Sequence, residues 1–353
     1  MKIAILNDTH CGTRNSSDIF IEYQRKFYEE VFFPYCLDND VKTVLHLGDY
    51  YEHRKFVNFK ALNSNRQHFL NPLKKYGMTM DIIPGNHDVF YKNTNELCSL
   101  KELLGYFTSN VNIIMEPKVL DYDGCKVGVV PWINASNYSD SMDFIANCEA
   151  SMLGGHFEIE GFEMHKGMPN PHGMSATHFK RFESVFSGHF HTKSTQGNIS
   201  YFGSQMEFTW ADCEDQKYFH VLDTETREIT AIPNPITLFQ KVYYDDVKSN
   251  YEKPDVDQYA DKFVKVVVVN KKDPYTFDRF IDKLQYVNTH ELKIAETFEE
   301  FSGENVDDNK VSLEDTAELL DTYVDAVETD LDLSRIKGIV RELYVEAQNH
   351  EIV

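Results

Sequence analysis

Positive charge is scarce in this sequence. Thirty-five lysines and arginines stand against 57 aspartates and glutamates, a formal net charge of −22. Affinity for nucleic acid rests on Lys and Arg neutralising phosphates, which argues against a free-standing electrostatic DNA binder. An enzyme that cuts DNA is not excluded, because bound metals and a basic partner can supply positive charge locally. Cysteines are also few. Cys11, Cys36, Cys98, Cys125, Cys148 and Cys213 are scattered without a C-x-x-C pair, which fits reduced thiols better than a disulfide frame or zinc knuckle. No apolar run approaches transmembrane length. The opening Lys2–Leu6 is too short for a signal sequence. A G-x-x-x-x-G-K-[ST] loop is missing too, so the chain carries no P-loop nucleotide engine. The expectation is a soluble, cytoplasmic protein without membrane contact.

What is present suffices for a large core. Of 353 residues, 42% are hydrophobic and 13% aromatic, consistent with one large domain plus smaller additions. The first half alternates strand and helix. Strands are expected at Lys2–Leu6, Val41–Leu47 and Met80–Ile83, with helices at Ile19–Cys36 and Phe59–Tyr76; Phe20, Tyr23, Phe27 and Val31 recur at helical spacing. The middle is richer in strands, at Lys126–Ile133, Val185–Ser187, Ile199–Phe202 and Lys217–Asp223. The fold class is therefore α/β, with a two-sheet β-sandwich core flanked by helices over residues 1–235. Pro233 and Pro235 mark its end. A small α+β module is expected over 236–300, from strand Phe263–Val269, helix Tyr275–Val287 and strand Glu291–Phe298. Residues 301–353 read as an acidic linker and a helical pair. From Glu296 to Asp332, fourteen acidic residues face one basic residue, Lys310. Leu320, Val324 and Val327, then Ile336, Val340 and Leu343, lie on two amphipathic stripes suited to a partner's groove.

Five short motifs begin where predicted strands run out: Asp8-Thr9-His10, Gly48-Asp49, Gly85-Asn86-His87-Asp88, Gly155-His156 and Gly188-His189-Phe190-His191. One D-x-H or G-D is weak evidence, whereas G-N-H-D and G-H-x-H behind apolar strands are specific. Together they offer two carboxylates, an amide oxygen and several imidazoles, a donor set for two divalent transition-metal ions. Neutral imidazoles and the Asn86 oxygen bind metal without cancelling its charge, so the centre keeps a net attraction for a phosphodiester.

This series resembles the calcineurin-like metallophosphoesterases. The resemblance implies that Asp8, His10 and His191 hold one metal, that Asn86, His156 and His189 hold the other, and that Asp49 bridges them. It implies that His87 faces the scissile phosphate, with Asp88 placed to orient it or to brace the turn. Within the superfamily the chain is similar to the SbcD-type nucleases, and closest to the small subunit of the recombination endonuclease of large tailed phages. That likeness rests on Asn7-Asp8-Thr9-His10-Cys11-Gly12, on Gly154-Gly155-His156 with Glu158–Phe162, and on Tyr201-Phe202-Gly203-Ser204. Tyr201, Gly203 and Ser204 are thereby implied to contact substrate. Many members place a histidine three residues after the bridging aspartate. Here that position is Glu52, with His53 beside it, so either His53 takes the role or the role is absent.

The family likeness implies a Mn²⁺-dependent 3′→5′ exonuclease and endonuclease acting on duplex ends and near single-stranded regions. It would work as a homodimer with an SbcC-type coiled-coil ATPase, residues 236–300 capping access to DNA. A phosphodiesterase for a small nucleotide and a non-catalytic scaffold are the rivals; the intact ligand set disfavours the scaffold. Among the other histidines, His46 reads as a packed core residue. His68 and His220 show no partner in sequence, and His165, His172 and His178 fall in or near the loop Lys166–Gly173, solvated or touching substrate.

Overall fold

The computed structural model describes residues 1–107, 109–165 and 168–296, together with Val324, Leu333, residues 335–340 and Leu343. Packing separates the chain into two compact units, Met1–Phe239 and Gln240–Val353.

In strand Lys2–Leu6 every residue after Lys2 is buried, and in Thr43–His46 all four are. A strand buried on both faces reads as a continuous apolar run, the mark of a parallel sheet covered on each side. These two strands pair in parallel with each other, and the row continues through Thr79–Ile82 to Val111–Ile113. Tyr218–Asp223 and Ile229–Pro233 add antiparallel strands on the other flank. A second six-stranded sheet runs in the order Ser194–Gln196, Ile199–Tyr201, Ser184–Ser187, Met152–Gly155, Cys125–Val130, Lys118–Tyr122. Its four inner strands are parallel and its two edges antiparallel.

Side chains of alternating strand positions fill the space between the sheets. Ile3, Ile5 and Leu45 meet Val127, Val129, Met152 and Phe186 in one cluster. Each such fully buried side chain contributes roughly 1.5–3 kcal/mol. The two-sheet sandwich expected from sequence is the fold observed.

Helices cover the outer face of the first sheet, and π-helical turns at Phe27–Phe32 and Arg66–Leu70 break their simple periodicity. The stretch expected at Ile19–Cys36 is an α-helix over Asp18–Lys26, a π-helical turn over Phe27–Phe32 and a second α-helix over Phe33–Asp38. A wider turn shifts the phase of the buried face. Phe32 is therefore fully buried, while Val31 is only partly so. Phe27 and Phe32 both meet Phe219 edge-on from the sheet.

In the second unit, strands Phe263–Asn270 and Glu291–Glu296 pair in parallel across helix Pro274–Tyr286, a βαβ unit. Strand Phe239–Asp245, which sequence patterning did not suggest, completes a three-stranded sheet. Val264, Val266 and Tyr244 pack with Phe277, Phe280 and Leu284. Of the residues on the terminal stripes, Val324 is buried, Ile336 and Val340 are half-buried and Leu343 is exposed. Leu320, Val327 and the linker Gly303–Lys310 lie outside the described residues.

Candidate metal centre

Register delivers the motifs to one place. Leu6 pairs with His46 and His46 with Ile82, while Ser187 pairs with Gly155. The loops that follow these parallel strands therefore leave the sheets at matching levels, the usual ligand site of an open α/β sheet. Tight turns then aim the side chains. Asp8, His10, Asp49 and His189 have φ of 47°, 45°, 52° and 90°, in the left-handed region that non-glycine residues seldom occupy. Such strain persists where surrounding structure holds it, typically at functional sites. Gly85 shows how tight the packing is: a Cβ there would lie 2.2 Å from Asp49 Oδ1.

The donor atoms of the expected ligands form two groups that meet at one carboxylate oxygen, and His10, Glu52 and His87 form a third cluster beside them. His10 Nε2 lies 3.1 Å from His191 Nε2 and 3.8 Å from Asp8 Oδ1. In the second group, Asn86 Oδ1 lies 3.0 Å from both His156 Nε2 and His189 Nδ1. Asp49 Oδ2 is 3.3 Å from His156 Nε2 and 3.8 Å from His10 Nε2. Within Asp8, His10 and His191, and within Asp49, His156 and His189, the ligand atoms lie within 4.8 Å of one another.

The chemistry of these atoms suits divalent cations. His156 donates Nδ1–H to the Leu47 carbonyl at 2.8 Å, which leaves Nε2 as the atom that faces the centre and that a metal would take in place of a proton. Burial holds His189 at a pKa of about 3, a neutral imidazole able to bind metal. Burial works against charge on His10 and His156 as well, yet surrounding carboxylates outweigh it. Glu52, Asp49 and Asp8 hold His10 at about 10, and Asp49 and Asp8 hold His156 at about 9. A buried site that charges its own histidines is one that calls for cations.

Glu52 belongs to this centre. Its carboxylate lies 2.7 Å from His10 Nδ1, and its backbone carbonyl lies 2.6 Å from His87 Nδ1. Sequence patterning singled out Glu52 only as a departure from a family histidine. His53, the suggested substitute, instead stacks on Phe56 at 4.3 Å with its Nε2 buried and without a hydrogen-bond partner.

Asp88 is not what orients His87. It is fully buried, and its oxygens accept the backbone N–H groups of Gly85, Tyr50 and Tyr51 at 2.9–3.2 Å. It braces the turn, and the Glu52 carbonyl sets the His87 ring. The His87 backbone N–H also donates to Asp49 Oδ1 at 2.8 Å.

Tyr201, Gly203 and Ser204 are not placed to touch substrate. All three are buried. The Tyr201 hydroxyl donates to the Phe157 carbonyl and accepts from Ile159 N–H, each at 3.0 Å; Ser204 Oγ donates to the Met206 carbonyl at 2.7 Å. Gly203 has φ of 70°, and a Cβ there would lie 2.7 Å from the His191 carbonyl. These residues hold the loops that carry His156 and His191.

His46 is fully buried, as expected, with Nε2 3.1 Å from Thr9 Oγ1. His68 pairs with Glu29 at 2.6 Å, and His220 stacks on Phe202 at 3.9 Å. His172 and His178 are exposed. A further support went unseen in sequence: buried Lys217 donates from Nζ to the His191 carbonyl at 3.0 Å and pairs with Asp212 at 2.6 Å and Asp215 at 2.8 Å.

A two-sheet α/β sandwich with His, Asp and Asn donors at the carboxyl ends of its strands defines a metal-dependent phosphoesterase. Residues 1–203 match the calcineurin-like phosphoesterase family, and the chain belongs to that family. It is 30% identical over 349 residues to exonuclease subunit 1 of Enterobacteria phage T4, covering 98% of this chain and 99% of that one. Among solved structures, an archaeal phosphodiesterase is 18% identical, with a TM-score of 0.35 over 66% of this chain and all of that one. A Thermus thermophilus protein is 12% identical, with a TM-score of 0.37 over 66% of this chain and 98% of that one. Among the described residues no helix is long and apolar enough to cross a membrane.

Proposed function

We propose that this chain is a two-metal DNA nuclease, a 3′→5′ exonuclease on duplex ends with endonuclease activity near single-stranded regions. The observation that carries the reading is the position of Asp49 Oδ2, within 3.8 Å of His10 Nε2 and 3.3 Å of His156 Nε2. One carboxylate oxygen thus serves both donor groups. Asp8, His10 and His191 would hold one ion, Asn86, His156 and His189 the other, with Asp49 shared and Mn²⁺ the expected metal. When bound, such ions polarise the phosphoryl group and make a nucleophile available near neutral pH.

The chain's own residues do the rest. Asn86 and the histidines bind without adding negative charge, which preserves attraction for the phosphodiester. His87 gives Nδ1–H to the Glu52 carbonyl, because a carbonyl can only accept. Once the ring takes up a second proton, that proton sits on Nε2, from which it could pass to the leaving oxygen or be donated to the phosphate. The likeness to exonuclease subunit 1 along nearly the whole chain supports DNA as the substrate. A homodimer assembled with an SbcC-type ATPase follows from the same reading. The chain's charge of −22 leaves much of the grip on DNA to a partner, and the residues from 301 onward would dock it, with 236–300 as the cap.

The decisive experiment offers end-labelled duplex DNA with Mn²⁺ to the wild-type chain and to Asp49→Ala, alongside a small nucleotide phosphodiester. DNA degradation abolished by Asp49→Ala is the expected result. Cleavage of the small ester alone would replace the nuclease with a phosphodiesterase, and inactivity on both, with the partner added, would leave a scaffold.

A further inference from the structure

Beside the second donor group lies a cavity of about 520 Å³, lined among others by Trp132, Tyr138, His156, Glu158, Ser175 and His178. Trp132 joins it to the centre: its ring centroid is 5.9 Å from that of His156 and 5.4 Å from that of His189.

The Trp132 backbone is fixed on both sides. Its N–H donates to the Pro84 carbonyl at 2.9 Å, directly ahead of Gly85-Asn86-His87. Its carbonyl accepts from Asn95 Nδ2 at 2.8 Å and Asn137 Nδ2 at 3.0 Å. Asn134 ties the loop further, donating to Asn95 Oδ1 at 2.7 Å. Three hydrogen bonds thus fix the Trp132 backbone and a fourth braces its loop, with its position referred to the loop that carries Asn86.

The lining also says what kind of group fits. Among the described lining residues there is no Lys or Arg, and Glu158 adds negative charge. A phosphate finds no lysine or arginine to pair with there. A flat, uncharged ring needs none: Trp132 and Tyr138 offer stacking faces, and the exposed His178 offers a polar edge. We propose that this cavity receives a nucleobase of the substrate strand, stacked at Trp132, while the strand's phosphate sits at the metal centre. The proposal rests on the reading of the chain as a DNA nuclease. Stacking accepts any base, which suits an enzyme that must advance through sequence without preference. It also requires the strand end to be unpaired at this point, since a base within a duplex keeps its own neighbours.

The test uses the full-length chain with Trp210→Phe, because Trp132 and Trp210 are its two tryptophans. In Mn²⁺, indole fluorescence is titrated with a phosphorothioate single strand of thymidines and with the same strand made abasic. Quenching by the thymidine strand is expected, with affinity at least about tenfold above that of the abasic strand. Anisotropy of labelled strands then compares variants. Trp132→Ala should bring the thymidine strand down to the abasic level, whereas Trp132→Phe, which keeps a stacking face, should retain most of the preference. Equal affinity for both strands in the parent, or an intact preference in Trp132→Ala, overturns the proposal.

A second arm separates this failure from failure of the nuclease reading. Thymidine monophosphate and deoxyribose 5-phosphate are titrated into the same protein. If the chain cuts no DNA but only the nucleotide quenches Trp132, the base site stands and the nuclease reading falls. If neither quenches, the base site falls too.

Discussion

Glu52 Oε2 lies 2.7 Å from His10 Nδ1, while His10 Nε2 faces Asp8, Asp49 and His191 on the other side of the ring. A carboxylate behind a ligating imidazole fixes its orientation and strengthens it as a donor. Burial alone would raise the Glu52 pKa, yet His10 opposite it holds the carboxylate at about 2. Glu52→Gln keeps the shape and removes the charge. It should weaken the first metal by about tenfold or more, read as a rise in Kd by isothermal titration. An unchanged Kd would show that His10 needs no carboxylate behind it.

His87→Ala should abolish cleavage of DNA while metal content stays near wild type. The ring's Nδ1 is committed to the Glu52 carbonyl at 2.6 Å, and none of the close donor contacts around Asp49 Oδ2 comes from His87. Metal analysis alongside turnover separates a proton-transfer role from a ligand role; surviving turnover would remove the assignment.

Asp88→Ala should cost about 3 kcal/mol of stability, since buried N–H groups of Gly85, Tyr50 and Tyr51 lose their acceptor. Urea midpoints measure it. Metal affinity should fall as well, because the turn carries Asn86. A loss within the usual surface range would mean that water replaces the carboxylate.

Acid should unmask the Asp212–Lys217 pair. Burial raises the Asp212 pKa, but Lys217 above all, with His191, holds it at about 2 in the folded chain. An unfolded aspartate titrates near ~3.9. Because the folded value is the lower one, the pair's contribution is present above about pH 4 and is lost as pH falls toward 2. The stability gap between wild type and Asp212→Asn, about 2 kcal/mol at neutral pH, should therefore narrow below about pH 4. Denaturation series between pH 6 and pH 3 check the trend, and a gap independent of pH would refute it.

Much of the fold is legible from sequence because buried parallel strands leave a plain trace. Runs such as Ile3–Leu6 and Val44–Leu47 are buried on both faces and, His46 apart, apolar, and a motif at the end of each run marks the functional edge of the sheet. The helices are less exact. The π-turn at Phe27–Phe32 exchanges Val31 for Phe32 in the core, and a simple helical period cannot show this.

The sequence by itself determined which ligand types are present, their order along the chain and their attachment to strand ends, since these follow from local patterning. Tertiary structure alone decided the partnerships. Glu52 is three residues from Asp49 but serves His10; Asp88 adjoins His87 but serves the backbone; Tyr201, Gly203 and Ser204 resemble a substrate turn but are buried braces. The reason is directional. A side chain's partner depends on φ, on turn geometry and on what packs behind it, and left-handed backbone at Asp8, His10, Asp49 and His189 turns neighbours in sequence toward different parts of the molecule.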